Sequence, residues 1–409
     1  MGSKIATSRS RRRLLIGSLG AATVAALAAC TRPSRRPARL KIGILLPRSG
    51  YLAQSGNTCF EGVRLAHELL PSIGLPAFVA LEGDTGEGLD TAVRAAERII
   101  DEGAQLLIGC FDSGQTVEVA AVAERRRVPL VINIAAAPSI SSQGYRYVFR
   151  NFPDATRIVS DSYDLQKQLF KATGSAPRRV VVMHINNGRG IEAIQQQFAS
   201  MGMPYEMPAL IPYDPKEPDL SAAVTAARAS GADALWTVSR MDDAIRITRE
   251  LIRQQGSPKI IMSSNAGLHD PPYRNTLKAY ADYALTFAPF YDPNKPLSRA
   301  LRAQQLRSNP GVPLGTLQIY SFEAVLVALD AYARADSSDG DALSAALRTT
   351  RITHNVSPGP GITFDDRGQN AGLHLVAIQN LQGEGRVVLP HSAAEAAPVF
   401  PVPGWDERG

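Results

Sequence analysis

Residues 106–138, LLIGCFDSGQTVEVAAVAERRRVPLVINIAAAP, read as a strand, a short loop, a helix and a second strand. The first strand is the apolar run 106–109. In the helix Val117, Ala120 and Ala121 recur on one face, and Arg125, Arg126 and Arg127 complete the last turn, where cations suit the dipole. The second strand, 128–134, opens at Pro129, where a missing N–H costs least. A strand–helix–strand unit builds a parallel sheet, and open parallel sheets bind ligands beyond the carboxyl ends of their strands. That edge carries Asp112-Ser113-Gly114-Gln115-Thr116, at the start of the helix. Free N–H groups, a hydroxyl and a helix N-terminus make a seat for a carboxylate or phosphate. The plainer alternative is that Ser113 or Thr116 only caps the helix.

The same rhythm surrounds this unit. Strand 40–46, a loop from Pro47 to Asn57 and a helix carrying Phe60, Val63, Ala66 and Leu70 come first. Strand 77–81 and helix 89–101 follow, with Leu89, Ala92, Val93, Ala96 and Ile100 at helical spacing and Gly103 as the stop. After Arg150-Asn151-Phe152-Pro153-Asp154 the alternation restarts. Strand 179–184 precedes a helix marked by Ile191, Ile194 and Phe198. Helix 220–229, strand 234–238, helix 242–254, strand 259–262 and a late apolar helix, 320–333, complete it. The pattern is α/β, two doubly wound lobes, and the interface between lobes is a favoured place for a ligand. The Ala- and Pro-rich tail, 390–409, is expected to be disordered.

Charge is distributed unevenly. Residues 1–41 hold ten basic side chains and no acids; without them the 44 basic residues become 34, against 38 acids. The body is therefore acidic, which excludes a nucleic-acid-binding surface as the source of the net charge of +6. Ser10-Arg11-Arg12-Arg13-Leu14-Leu15 before an Ala/Gly-rich apolar run resembles a twin-arginine export signal over residues 1–29. Leu27-Ala28-Ala29-Cys30 resembles a bacterial lipobox, which would make Cys30 the lipidated first residue of the mature chain, with 30–39 as a basic tether. The alternative is an ordinary secretory signal with an incidental cysteine. The remaining cysteines, Cys59 and Cys110, stand near one sheet edge. They read as two buried small side chains or, in an exported protein, as a disulfide. Six scattered histidines offer no metal-ligand spacing, and no cofactor motif is present.

With these elements in place, the chain resembles the branched-chain amino acid-binding family of solute receptors serving ABC importers. The marks are Lys41-Ile42-Gly43, Ser49-Gly50, Gly56 and Gly62, Gln143-Gly144-Tyr145 with Arg150, Asp219-Leu220-Ser221, Gly231-Ala232-Asp233, and Ile362-Thr363-Phe364-Asp365 with Gly368. The resemblance implies two Rossmann-like lobes joined by three crossovers, near 152–155, 289–292 and 358–364, with a ligand cleft between them. Lobe 1 would hold 40–153 and 290–357, and lobe 2 would hold 154–289 and 358–389. It also implies a periplasmic or outer-face location, closure over a small-molecule ligand, and ABC permease and ATPase subunits as partners.

Family members that bind amino acids hold the carboxylate with a serine after the third strand, matched by Ser113, and with groups after the fourth. There Ala135-Ala136-Ala137 stands for the usual Gly-Ala-Thr, so Ala135 and Ala137 offer backbone groups without the hydroxyl. The acid that pairs with a substrate ammonium becomes Asn265, and an aromatic position becomes Arg240. Ser55, with Tyr51 nearby, takes the place of another aromatic, and Arg189 stands where a tyrosine is usual. An unpaired ammonium in a closed cleft is costly, whereas arginine forks suit a carboxylate. These departures imply a small carboxylate ligand without a free α-amino group. The alternative places the arginines on the rim, solvated or paired with Asp242 or Asp243.

A second function class is an envelope protein that uses this fold to regulate a partner. An enzyme is disfavoured: no Gly-x-Ser-x-Gly, Gly-x-x-x-x-Gly-Lys or His-Glu-x-x-His motif occurs, and only Asp112-Ser113 with His184 suggests hydrolytic chemistry.

Overall fold

Seven consecutive residues, Leu40–Leu46, form β1, and only Lys41 among them is exposed. A strand apolar on both faces needs cover on both, as in a parallel sheet between helical layers. The computed structural model describes Gly2 and residues 39–186, 202–264 and 267–408. β1 pairs in parallel with β2 (Phe78–Asp84) and β3 (Leu106–Gly109); β4 (Leu130–Ile132) and β5 (Val148–Arg150) extend the sheet in the order β2-β1-β3-β4-β5. Its first helices are α1 (Ala53–Leu69), α2 (Leu89–Asp101) and α3 (Ser113–Arg126). β4 is shorter than the expected 128–134 at both ends; it starts after Pro129, which has no N–H to donate to the ladder.

A second sheet has the order β12-β11-β10-β9-β8-β6-β7. β6 (Val180–Ile185), β7 (Leu210–Tyr213), β8 (Ala234–Val238), β9 (Ile261–Ser263) and β10 (Leu285–Ala288) are parallel. β11 (Val376–Leu381) and β12 (Glu384–Leu389) add an antiparallel hairpin. Gln382 and Gly383 both have positive φ at its tip, the backbone that a two-residue turn of matching twist requires. Helices α4 (Ala155–Thr173), α5 (Ser221–Ala229), α6 (Met241–Arg253) and α7 (Pro271–Leu277) belong to this lobe. The helix expected around Ile191, Ile194 and Phe198 lies outside the described residues.

Between β10 and β11 the chain returns to the first lobe with α8 (Pro296–Ser308), α9 (Thr316–Ala335) and α10 (Gly340–Arg348). The long apolar helix expected over 320–333 is thus α9, buried along most of its length against α1. The two helices touch at Gly62, where a Cβ would stand 2.2 Å from the Gln318 carbonyl oxygen. The architecture is the expected pair of doubly wound lobes joined by three crossovers.

The third crossover comes later than 358–364. Arg150 N–H donates to Gly368 O at 2.7 Å and Asn370 N–H to Arg150 O at 3.0 Å, so the chain stays on the first sheet through Asn370. The backbone reaches lobe 2 near Leu375, whose N–H donates to Asp161 Oδ2 at 3.2 Å.

One expectation is corrected, and the choice between the two cysteine readings falls to two buried side chains. The tail from 390 is ordered against lobe 2: Phe400 and Trp405 are buried, and Trp405 Nε1 donates to Gly256 O at 2.7 Å. Ala/Pro composition hid the burial of two large rings, while proline reduces the entropy lost on docking. Cys59 and Cys110 are separate, fully buried thiols, and burial pushes both up to about 12.

Candidate ligand-binding cleft

All four inter-strand loops of lobe 1 that follow β1 to β4 emerge at one edge, because the strands are parallel. Their conformations are set by polar side chains rather than by packing. Asp84, the last residue of β2, accepts from the N–H groups of Arg48 and Gly86, both at 2.8 Å. Burial alone pushes this carboxyl up, but the Ser49 hydroxyl and the Arg48, Gly86 and Ser49 N–H groups hold it below its usual range. Glu87 Oε1 accepts from Tyr51 N–H at 2.8 Å and leaves the Tyr51 ring 77% exposed at the edge. Buried Gln115 donates from one Nε2 to the carbonyls of Thr85, Gly86 and Gly88 at 3.0–3.2 Å, fixing the β2–α2 loop from the neighbouring helix. Leu89, expected in the buried stripe of α2, is half-exposed because it begins the helix at this same edge.

The cap of α3 differs from both sequence alternatives. Asp112, not Ser113 or Thr116, accepts from Gln115 N–H at 3.0 Å, and Thr116 Oγ1 donates back to Asp112 O at 2.6 Å. Ser113 is therefore released from capping. Its Oγ accepts from Ala137 N–H at 3.3 Å, which joins the loop after β3 to the loop after β4. The N–H groups of Ser113 and Gly114 have no intrahelical acceptor, since both lie in the first turn.

The loop after β4 is held from below by Arg150, a fully buried arginine. Its Nη1 donates to Ala137 O at 2.8 Å and Ala135 O at 3.3 Å, its Nη2 to Ser141 Oγ at 2.8 Å, and its Nε to Gln369 Oε1 at 2.7 Å. Burial lowers this guanidinium to about 10, against an opposing pull from Asp154. The carbonyls of Ala135 and Ala137 thus face Arg150, while the Ala136 carbonyl accepts from Ala155 N–H at 2.9 Å. Positive helix-end potential, one hydroxyl and backbone donors together can seat an anionic oxygen pair.

On lobe 2 the corresponding edge follows β6, β8 and β9. Arg240 is exposed at the N-cap position of α6 with no side-chain capping bond. Asp243 is not its partner: Asp243 Oδ1 accepts from Arg246 Nη2 at 2.6 Å, and Oδ2 from Tyr213 OH at 3.4 Å. Among the described residues Arg240 makes no ion pair with Asp242 either.

The structure brings Ser113, Ala135, Ala137 and Tyr51 to the lobe 1 edge, and places Ser55 half-buried on α1 and Arg240 on the lobe 2 edge. Arg189, Asn265 and Cys30 lie outside the described residues. His184 lies buried within β6 of the second sheet, whereas Asp112 and Ser113 belong to the first, so the suggested hydrolytic set is split between sheets. Sequence reasoning missed Gln115 and Glu87, whose signal is only that of polar residues near loops. It also passed over Trp236, an aromatic inside β8 whose buried Nε1 has no partner among the described residues.

Two α/β lobes with loop-built, anion-suited edges define a two-lobed solute receptor. The chain belongs to the periplasmic binding protein family, whose model matches residues 39–385. That is a family of periplasmic solute-binding proteins, not of enzymes. The chain is 23% identical over 405 residues to a Leu/Ile/Val-binding protein homologue of Brucella suis, covering 94% of this chain and 98% of that one. Its fold is similar to a leucine-binding protein from Thermotoga maritima (TM-score 0.67, 23% identity, 85% of this chain and 97% of that chain). It is also similar to a solute-binding protein from R. palustris in complex with benzoate (TM-score 0.67, 16% identity, 88% and 98%).

Proposed function

We propose that this protein is a lipid-anchored solute receptor of an ABC importer, and that its lobes close over a small carboxylate-bearing ligand without a free α-amino group. The observation that carries the ligand class is Arg240. It stands exposed and without an ion pair among the described residues on the lobe 2 edge, while its acidic neighbour Asp243 is occupied by Arg246. A planar fork in that position suits a carboxylate and repels an ammonium. The Ser113 hydroxyl and the first-turn N–H groups of α3 supply the opposing donors on lobe 1. The benzoate complex of the R. palustris protein supports an organic acid; the names of the Brucella and Thermotoga proteins support an amino acid instead. The anchor rests on Leu27-Ala28-Ala29-Cys30, and Cys30→Ala is expected to move the protein from the membrane to the soluble fraction.

The test is a thermal-shift panel of organic acids, amino acids, amides and sugars on the purified protein. A ligand at about a hundred times its Kd adds about 2.7 kcal/mol of apparent stability. Shifts with acids alone, lost in Arg240→Ala, are the expected result. Shifts with leucine or valine alone contradict the ligand class and keep the receptor. A chain that shifts with nothing points to the envelope-partner function instead.

A further inference from the structure

Between the second sheet and α4 lies a cavity of about 100 Å³. Its walls include the rings of Tyr163, Tyr205 and Trp236 with Val182 and Val238, and it ends at Ser264. Tyr163 meets Trp236 edge to face, ring centroids 5.3 Å apart, and both are buried. Val238 ends β8 two residues before Arg240, and Ser264 follows β9, so the cavity reaches the lobe 2 edge that bears the ligand-facing loops. Well-packed interiors contain few such voids, because unfilled space costs stability. A void walled by aromatic and branched side chains stays dry and admits a small ring. Trp236 presents its ring to the cavity wall, and its Nε1 is shielded behind that wall.

We propose that this cavity receives the ring of an aromatic acid while the carboxylate remains at the cleft edge. The inference rests on the carboxylate reading above and narrows it to acids whose preferred members bear a ring. The rings of Tyr163 and Tyr205 offer edge and face contacts that aromatic guests prefer to aliphatic ones.

The chain has two tryptophans, Trp236 and Trp405, so in Trp405→Phe the indole emission reports on Trp236 alone. This variant is titrated with benzoate, 4-hydroxybenzoate and the neutral ring toluene. The same acids are titrated by calorimetry into the wild type and into Val238→Phe and Met207→Phe, two variants that fill the cavity from different walls. All three probes are expected to change Trp236 emission, and each filling variant should weaken both acids at least tenfold. An acid that binds without moving the emission, and equally well in both variants, overturns the cavity assignment and leaves the carboxylate reading intact. Toluene binding with no acid binding overturns the carboxylate reading and leaves a site for neutral rings.

Discussion

The Ala137 N–H donates to Ser113 Oγ at 3.3 Å, so the loops after the third and fourth strands of lobe 1 meet at a single hydroxyl. That hydroxyl is spared from capping because Asp112 caps α3. Its proton is left for a ligand. Ser113→Ala should weaken binding of the acid ligand by about 1–2 kcal/mol, a five- to thirtyfold rise in Kd, while the melting temperature of the ligand-free protein changes little. Calorimetry on wild type and variant checks this, and unchanged affinity contradicts the role given to Ser113.

Arg150 holds the other half of this seat. Replacing it with leucine strands the carbonyls of Ala135 and Ala137 and the side chain of Gln369. A loss of about 3–5 kcal/mol is expected in urea unfolding, as for other broken buried charge networks. Arg150→Lys should recover only part of it, since one ammonium cannot reach acceptors on three sides as the planar fork does.

Glu323 ties the first crossover to the loop at residues 356–357. Its Oε1 accepts from Val356 and Ser357 N–H at 2.7 and 2.6 Å, and its Oε2 from Asn151 Nδ2 at 3.2 Å. The start of the first crossover and the loop at residues 356–357 are thereby fixed to one carboxylate on buried α9. Glu323→Ala leaves these donors unpaired and should cost about 2–4 kcal/mol. Hydrogen exchange should also accelerate at Val356 and Ser357 before it does in β1.

His269 predicts a pH dependence. It is buried against Phe290 of the second crossover, and burial holds its pKa below the ordinary 6.5, despite Asp270 at 3.5 Å and with Arg274 adding to the depression. The unfolded chain therefore binds this proton first as pH falls. The contribution is fully present above pH 6.5 and is lost progressively below it, by at most about 1.4 kcal/mol per pH unit. Urea midpoints at neutral pH and about one unit below the ordinary histidine value should differ less in His269→Gln than in wild type. Equal differences contradict the assignment.

Much of the fold was legible because strands buried on both faces and amphipathic helices leave strong periodic signals. β1, α2 and β8 have the bounds the pattern predicts. The β11–β12 hairpin was not read, since its turn uses Gln382 in place of the usual Asn or Asp before Gly383. The late third crossover was not legible either, because the pairing of Arg150 with Gly368 and Asn370 joins residues more than two hundred positions apart. At the site, Ser113 could be found from its place after a strand and before a helix. Arg150 stood out only as part of a family pattern, and its grip on the Ala135–137 loop depends on three-dimensional closure that no local spacing encodes.

The central claim is that the cleft takes a carboxylate and disfavours an α-ammonium. 4-Methylpentanoate and leucine share the carboxylate and the branched chain and differ at the ammonium, so isothermal titration of this pair isolates it. Of this pair the acid should bind at least tenfold more tightly than leucine, and Arg240→Ala should remove that advantage. Tighter binding of leucine, unaffected by Arg240→Ala, contradicts the account.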